Sequence, residues 1–177
     1  MKQMLQLLAA ILIFCFLIVT GTIAVNAAPV TGGAPSLPGS ELPPDIFNDD
    51  CDGGDACPGR IFSDMPAADH WSHVPIDWAL TRHITAGMGN GKFRPGAGCT
   101  RAQAVTFLWK AAGAPAPQSQ DCPFLDVSAT AYYRQAVLWA YETGVTSGTG
   151  GGNFSPNKVC TRAQIITFLY KVYGPKG

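Results

Sequence analysis

The chain has 177 residues, with 12 Lys+Arg against 12 Asp+Glu, and only 14% of its residues are charged. That balance excludes the basic stripe of a nucleic-acid binder, although a polyanion can still bind locally. With the two N-terminal segments described next set aside, roughly 115 residues remain, enough for one small core.

Lys2 is followed by an apolar stretch from Leu5 to Val25 and then by Val25-Asn26-Ala27. Residues 1–27 therefore read as an export signal peptide cleaved after Ala27. The stretch approaches the ~20 residues that span a bilayer, so an uncleaved anchor is the alternative. Cys15, between Phe14 and Phe16, reads as an apolar filler. Residues 28–60 are rich in Pro, Gly and Asp and read as a linker. Within it, Asn48 to Asp55 resembles the start of a calcium loop, but the twelfth position is Gly59, where such a loop needs a bidentate Glu. A solvated acidic turn is the favoured reading.

The organising feature is an internal repeat with an offset of 61 residues. Trp71 to Gly113 aligns with Tyr132 to Gly174 without a gap, and 18 of 43 positions are identical, too many for chance in so short a window. The shared residues include Trp78/Trp139, Gly87/Gly148, Phe93/Phe154, Cys99/Cys160 and the run Cys-Thr-Arg-Ala-Gln, and Phe62-Ser63-Asp64 matches Phe124-Leu125-Asp126. The units are residues 61–113 and 122–174, joined by a Pro/Ala-rich connector, 114–121. Each reads as helix, long loop, helix. In the second unit the first helix stops at Gly144, a residue suited to a helix C-terminus. The loop is pinned by one buried ring, Phe93 or Phe154. Thr100 with Gln103, and Thr161 with Gln164, have the spacing of a capping box that starts the second helix. Behind it, Ala102, Val105, Leu108, Trp109 and Ala112, and in the second copy Ala163, Ile166, Leu169, Tyr170 and Tyr173, form an apolar face expected to be core.

Phe-x-Asp, an aromatic before the first helix, Trp-Ala within it, Gly-x-Phe-x-Pro and Thr-Arg-Ala-Gln resemble the S-layer homology domain, over Phe62 to Tyr173 and twice in register. The resemblance implies an all-α fold of tandem helix–loop–helix repeats, packed as prongs around a pseudo-threefold axis. Two recognisable units where the family commonly has three would make that trimer incomplete. It also implies an exported protein held noncovalently on the bacterial envelope by an anionic secondary cell-wall polysaccharide, often one bearing pyruvate ketals.

Arg101 and Arg162 are the first candidates for glycan contact. A cation at the first helical position opposes the helix dipole, so helix formation does not account for it. Free helix-start amides and a guanidinium could instead converge on a sugar carboxylate. A salt bridge to Asp64 or Asp126 is the alternative. Trp78 and Trp139 are core residues or platforms for a sugar ring; Asp64 and Asp126 are acceptors for sugar hydroxyls or structural caps. Gly87 and Gly148 allow a left-handed turn or a close approach to ligand. Thr100, Gln103, Thr161 and Gln164 are assigned to capping.

The matching positions of Cys57 and Cys122, each before Pro, and of Cys99 and Cys160 suggest disulfides Cys57–Cys99 and Cys122–Cys160, with Cys51 left over and Cys51–Cys57 as runner-up. His70 and His73 could begin a metal site, but no carboxylate or cysteine stands at a convincing ligand spacing, so neither metal nor cofactor is expected. With no nucleophile elbow or phosphate loop, no catalytic activity is expected either. The competing function is assembly: a homo-dimer, or pairing with another chain carrying the same repeat.

Overall fold

A computed structural model of the chain describes residues 53–175. The signal segment, the acidic stretch from Asn48 to Asp52, and Cys51 lie outside the described residues. Among the described residues, no helix is long and apolar enough to cross a membrane.

A short 3-10 turn, Pro58–Ile61, precedes four helices: α1 His73–Thr81, α2 Arg101–Ala111, α3 Arg134–Glu142 and α4 Arg162–Tyr173. Each copy is thus a helix, a long loop and a second helix, an all-α arrangement. The second helix of each copy has a defined start. Thr100 Oγ1 accepts from the Gln103 amide at 3.3 Å while Gln103 Oε1 accepts from the Thr100 amide at 2.9 Å. The Thr161–Gln164 pair repeats this at 3.2 and 3.0 Å. These reciprocal bonds satisfy donors that a helix N-terminus would leave unpaired.

Neither copy packs its own two helices against each other. α2 packs instead on α3 and α4, across the repeat boundary, whereas α1 packs on the 3-10 turn. Two apolar clusters result. The larger includes Val105, Leu108, Val137, Trp139, Val145, Phe154, Phe168 and Leu169; the smaller holds only Phe62, Ile76 and Phe93, with Met65 and Leu80 against it. The connector is tied to the larger cluster's helices. Glu142 accepts from the amides of Gln118 and Ser119, Arg134 donates to the Gln120 carbonyl at 2.8 Å, and Trp109 Nε1 donates to the Pro115 carbonyl at 2.8 Å.

Two sequence expectations are corrected here. Ala102, Val105 and Leu108 are buried, as is Leu169, the counterpart of Leu108, but Ala163, Ile166 and Tyr170 are exposed, Ile166 at 47% and Tyr170 at 63%, and α4 buries Ile165 and Phe168 beside Leu169 instead. α2 covers its apolar face with α3; among the described residues no helix covers the same face of α4. The expected disulfides are also absent. Cys57, Cys99, Cys122 and Cys160 are thiols with no sulfur–sulfur bond among them. Cys57 faces α1 in the neighbourhood of the smaller cluster, while Cys99 sits in the larger one, so the repeat equivalence does not place their sulfurs together.

Candidate functional site

Each copy carries the same loop clamp. Asp64 accepts from the Phe93 and Arg94 amides at 2.7 and 2.9 Å, and Asp126 from the Phe154 and Ser155 amides at 2.8 and 2.7 Å. The Phe93 amide, above all, holds the Asp64 carboxyl below the usual Asp value, with Lys92 adding a smaller effect. Both oxygens of each carboxylate are therefore engaged in shaping the loop. The loop ring packs at a tilt against the ring two residues before the aspartate, Phe93 against Phe62 at 5.5 Å and Phe154 against Phe124 at 5.7 Å between centres. Gly87 and Gly148 have φ of +79° and +89°, and a Cβ there would stand 2.4 Å from Phe62 Cε1 and 2.6 Å from Phe124 Cε1. These glycines are required by the turn and by the ring packed on it.

The second clamp holds an arginine from the first copy. Arg101, only 3% exposed, donates through Nε to the Phe154 carbonyl at 2.9 Å and through a terminal nitrogen to Thr146 Oγ1 at 3.3 Å. Its guanidinium carbon lies 5.0 Å from the Phe154 ring centre and 5.3 Å from that of Phe168. Burial pushes the Arg101 guanidinium below its ordinary pKa, opposed by Cys160 and Asp126. The helix-start amides are used as well: Arg101 N–H donates to the Lys158 carbonyl and Ala102 N–H to the Pro156 carbonyl, at 2.9 and 3.0 Å. An antiparallel bridge, Thr100 to Val159, extends this seam. Arg101 and the helix-start amides, read from the sequence as candidates for a glycan carboxylate, are engaged here in joining the two copies.

The first clamp has the same receiving groups but faces an open cleft of ≈ 510 Å³. Thr85, Gly87, Phe93 and Phe107, the equivalents of Thr146, Gly148, Phe154 and Phe168, line it together with Gln103, Arg94, Lys110, Trp109 and Tyr132. Two cations and four aromatic side chains line the cleft, and no carboxylate is among its lining residues. Of these, Tyr132 is 69% exposed.

Of the residues singled out from sequence, Gly87 borders this cleft and Arg162 is exposed at the start of α4. Trp139 is buried in the larger cluster and Trp78 is half-buried in α1, neither lining the cleft. Sequence reasoning does not reach Arg94, Lys110, Trp109 or Tyr132 as site residues. Trp109 reads there only as part of an apolar face, and the one available signal for Tyr132 is its place as the aromatic before the first helix.

The S-layer homology domain pattern matches residues 61–105 and 123–166. The chain is 31% identical over 118 residues to the S-layer protein sap of Bacillus anthracis, a match covering 67% of this chain and 14% of that protein. It is 33% identical over 119 residues to a cell surface protein of Thermoanaerobacter kivui, covering 63% of this chain and 16% of the relative. A match at 32% over 112 residues links 63% of this chain to 12% of an endoglucanase of Bacillus sp. (strain KSM-635). The chain thus spans a small part of the relatives it matches. What it shares with them is the paired repeat: the chain belongs to the S-layer homology family, whose exported, wall-associated modules serve cell-envelope attachment and are not catalytic.

Proposed function

We propose that the chain attaches to the envelope by binding an anionic wall polysaccharide in the cleft between the first loop and α2. The observation that carries this reading is the lining: Arg94 and Lys110 beside Trp109 and Tyr132, with no opposing carboxylate. Cations recognise a sugar carboxylate or ketal-linked pyruvate, and flat aromatic faces take the apolar side of a pyranose ring. Gln103 and Thr85 supply hydrogen-bonding groups at the wall of the cleft. The volume is of the size that takes one or two sugar units. Co-sedimentation with isolated wall sacculi tests the proposal. The wild type is expected to pellet with intact sacculi and not with sacculi stripped of their acidic polymer, and Arg94→Ala/Lys110→Ala to lose at least about tenfold in affinity, on the order of 1.4 kcal/mol. Undiminished binding by the folded double variant would remove the cleft as the site.

A second reading, pairing with another chain that carries the same repeat, is favoured by one observation. The face of α2 that carries Arg101, Ala102 and Val105 is buried against the second copy, while Arg162, Ala163 and Ile166 on α4 are exposed. The cleft offers the groups that receive such an arginine. Docking α4 of one molecule into the cleft of another would reproduce the internal seam head to tail, a heterologous contact that closes into rings or continues into chains. It would also compete with glycan. Sedimentation velocity distinguishes the outcomes: on this reading, mass rises with concentration for the wild type and stays monomeric for Arg162→Glu, whereas a wild type that is monomeric at every concentration excludes it.

A further inference from the structure

The smaller apolar cluster is bordered by a polar group that the attachment function does not use. Cys57, His73 and Asp77 are 6%, 2% and 7% exposed, and their donor atoms converge. Cys57 Sγ lies 3.3 Å from His73 Nε2 and 3.2 Å from Asp77 Oδ2, and His73 Nε2 lies 3.4 Å from Asp77 Oδ2. The sequence hides this trio: Asp77 follows His73 by one helical turn, but Cys57 comes from the start of the 3-10 turn sixteen residues upstream. His70, by contrast, turns to Ser72 Oγ at 2.8 Å.

We propose that Cys57, His73 and Asp77 form a structural zinc site that fastens the segment before the first repeat to α1. A zinc ion held at about 2.3 Å from sulfur and about 2.0–2.1 Å from nitrogen and oxygen, at tetrahedral angles, needs donor–donor edges of about 3.3–3.6 Å. The three edges of this triangle approach that range with no rearrangement of the chain. The outer contacts are those of a metal site as well. His73 Nδ1 lies 2.7 Å from the Pro66 carbonyl, so its proton belongs there and the Nε2 lone pair faces the triangle. The Gly59 amide donates to Asp77 Oδ1 at 2.8 Å, leaving Oδ2 as a single ligand oxygen.

A nucleophilic Cys–His–Asp arrangement would put the carboxylate on Nδ1, on the far side of the ring from the thiol. Here the carboxylate meets thiol and imidazole at one point, as ligands of a shared cation do. On loading, the Cys57 thiol gives up its proton, and thiolate, carboxylate and neutral imidazole around a divalent cation carry no net charge. A fourth donor, from the protein or water, would complete the tetrahedron.

The second copy performs the same mechanical task without these residues. Its positions equivalent to His73 and Asp77 are Arg134 and Leu138, and Arg134 with Glu142 holds residues 118–120 by hydrogen bonds to the backbone. The first copy has only three buried apolar residues in its own cluster, and among the described residues α1 has no helical neighbour except the 3-10 turn. A cross-link is most useful in such a small core.

Cobalt(II) titration of the exported full chain, purified under reducing conditions and stripped with chelator, tests the site. The expected result is one cobalt per chain, with the thiolate charge-transfer band and intense visible bands of a tetrahedral thiolate-ligated ion, displaced by one equivalent of zinc. Cys57→Ser should remove the charge-transfer band and weaken binding by more than about 100-fold. Should that variant not fold, Asp77→Asn, which keeps the shape of the side chain, carries the same expectation for affinity. A folded wild type that gives no such spectrum overturns the proposal, as does a spectrum that Cys57→Ser and Asp77→Asn leave unchanged.

Discussion

Arg101→Ala is expected to destabilise the protein by about 3 kcal/mol, lowering its melting temperature by roughly 10 °C. The substitution removes a charged donor from the Phe154 carbonyl and leaves that oxygen inside the seam between the copies. It also removes the bond to Thr146 and the cation packed between the Phe154 and Phe168 rings. A hydrogen bond to a charged group contributes about 1.5–3 kcal/mol, and a desolvated cation over a ring about 1–2 kcal/mol, with incomplete additivity. Arg101→Lys should recover less than half of the loss, because an ammonium cannot reproduce the planar two-point contact. Arg162→Ala, at the equivalent but exposed position, should cost under about 1 kcal/mol. Chemical denaturation of the three variants reads these differences directly. Equal effects at Arg101 and Arg162 would mean that Arg101 does not join the copies.

Gly148→Ala should cost about 2–4 kcal/mol. Its φ of +89° is strained for any L-residue, a penalty of about 1–2 kcal/mol, and its new methyl would meet the Asn153 carbonyl at 2.5 Å and the Phe124 ring at 2.6 Å. Gly150→Ala separates the two causes. Gly150 has φ +98°, and a Cβ added there would meet nothing within 4 Å, so this variant should show the backbone penalty alone. The same denaturation series should therefore place Gly148→Ala at least about 1 kcal/mol below Gly150→Ala. A smaller gap would show that the Phe124 ring yields freely and that the clamp is loose.

Local features were legible in the sequence because their causes are local. The Thr-x-x-Gln spacing marks both second-helix starts, since the capping bonds span only three residues. The glycine and phenylalanine of each loop recur at fixed distances and mark the clamp. Relations across the repeat boundary were not legible. Thr-Arg-Ala-Gln reads identically in both copies, yet Arg101 is buried and Arg162 exposed, because a second copy lies beyond the first and no third lies beyond the second among the described residues. Ile166 and Tyr170 diverge from Val105 and Trp109 for the same reason. Matching cysteine positions suggested matching disulfides, but Cys57 sits against α1 and Cys99 leads into α2, and these helices do not pack together. The cleft escaped the sequence because its four informative side chains come from a loop, one helix and the approach to another.

Glycan bound in the cleft would perturb a set of residues distinct from those of the seam. In an isotope-labelled sample titrated with fragments of the purified acidic polysaccharide, backbone and indole resonances report each region separately. Saturable shifts should concentrate at Thr85, Arg94, Trp109, Lys110 and Tyr132, while Trp139 and the Arg101 seam stay unmoved. Shifts confined to the start of α4 around Arg162, or none at saturating polymer, would contradict glycan attachment through this cleft.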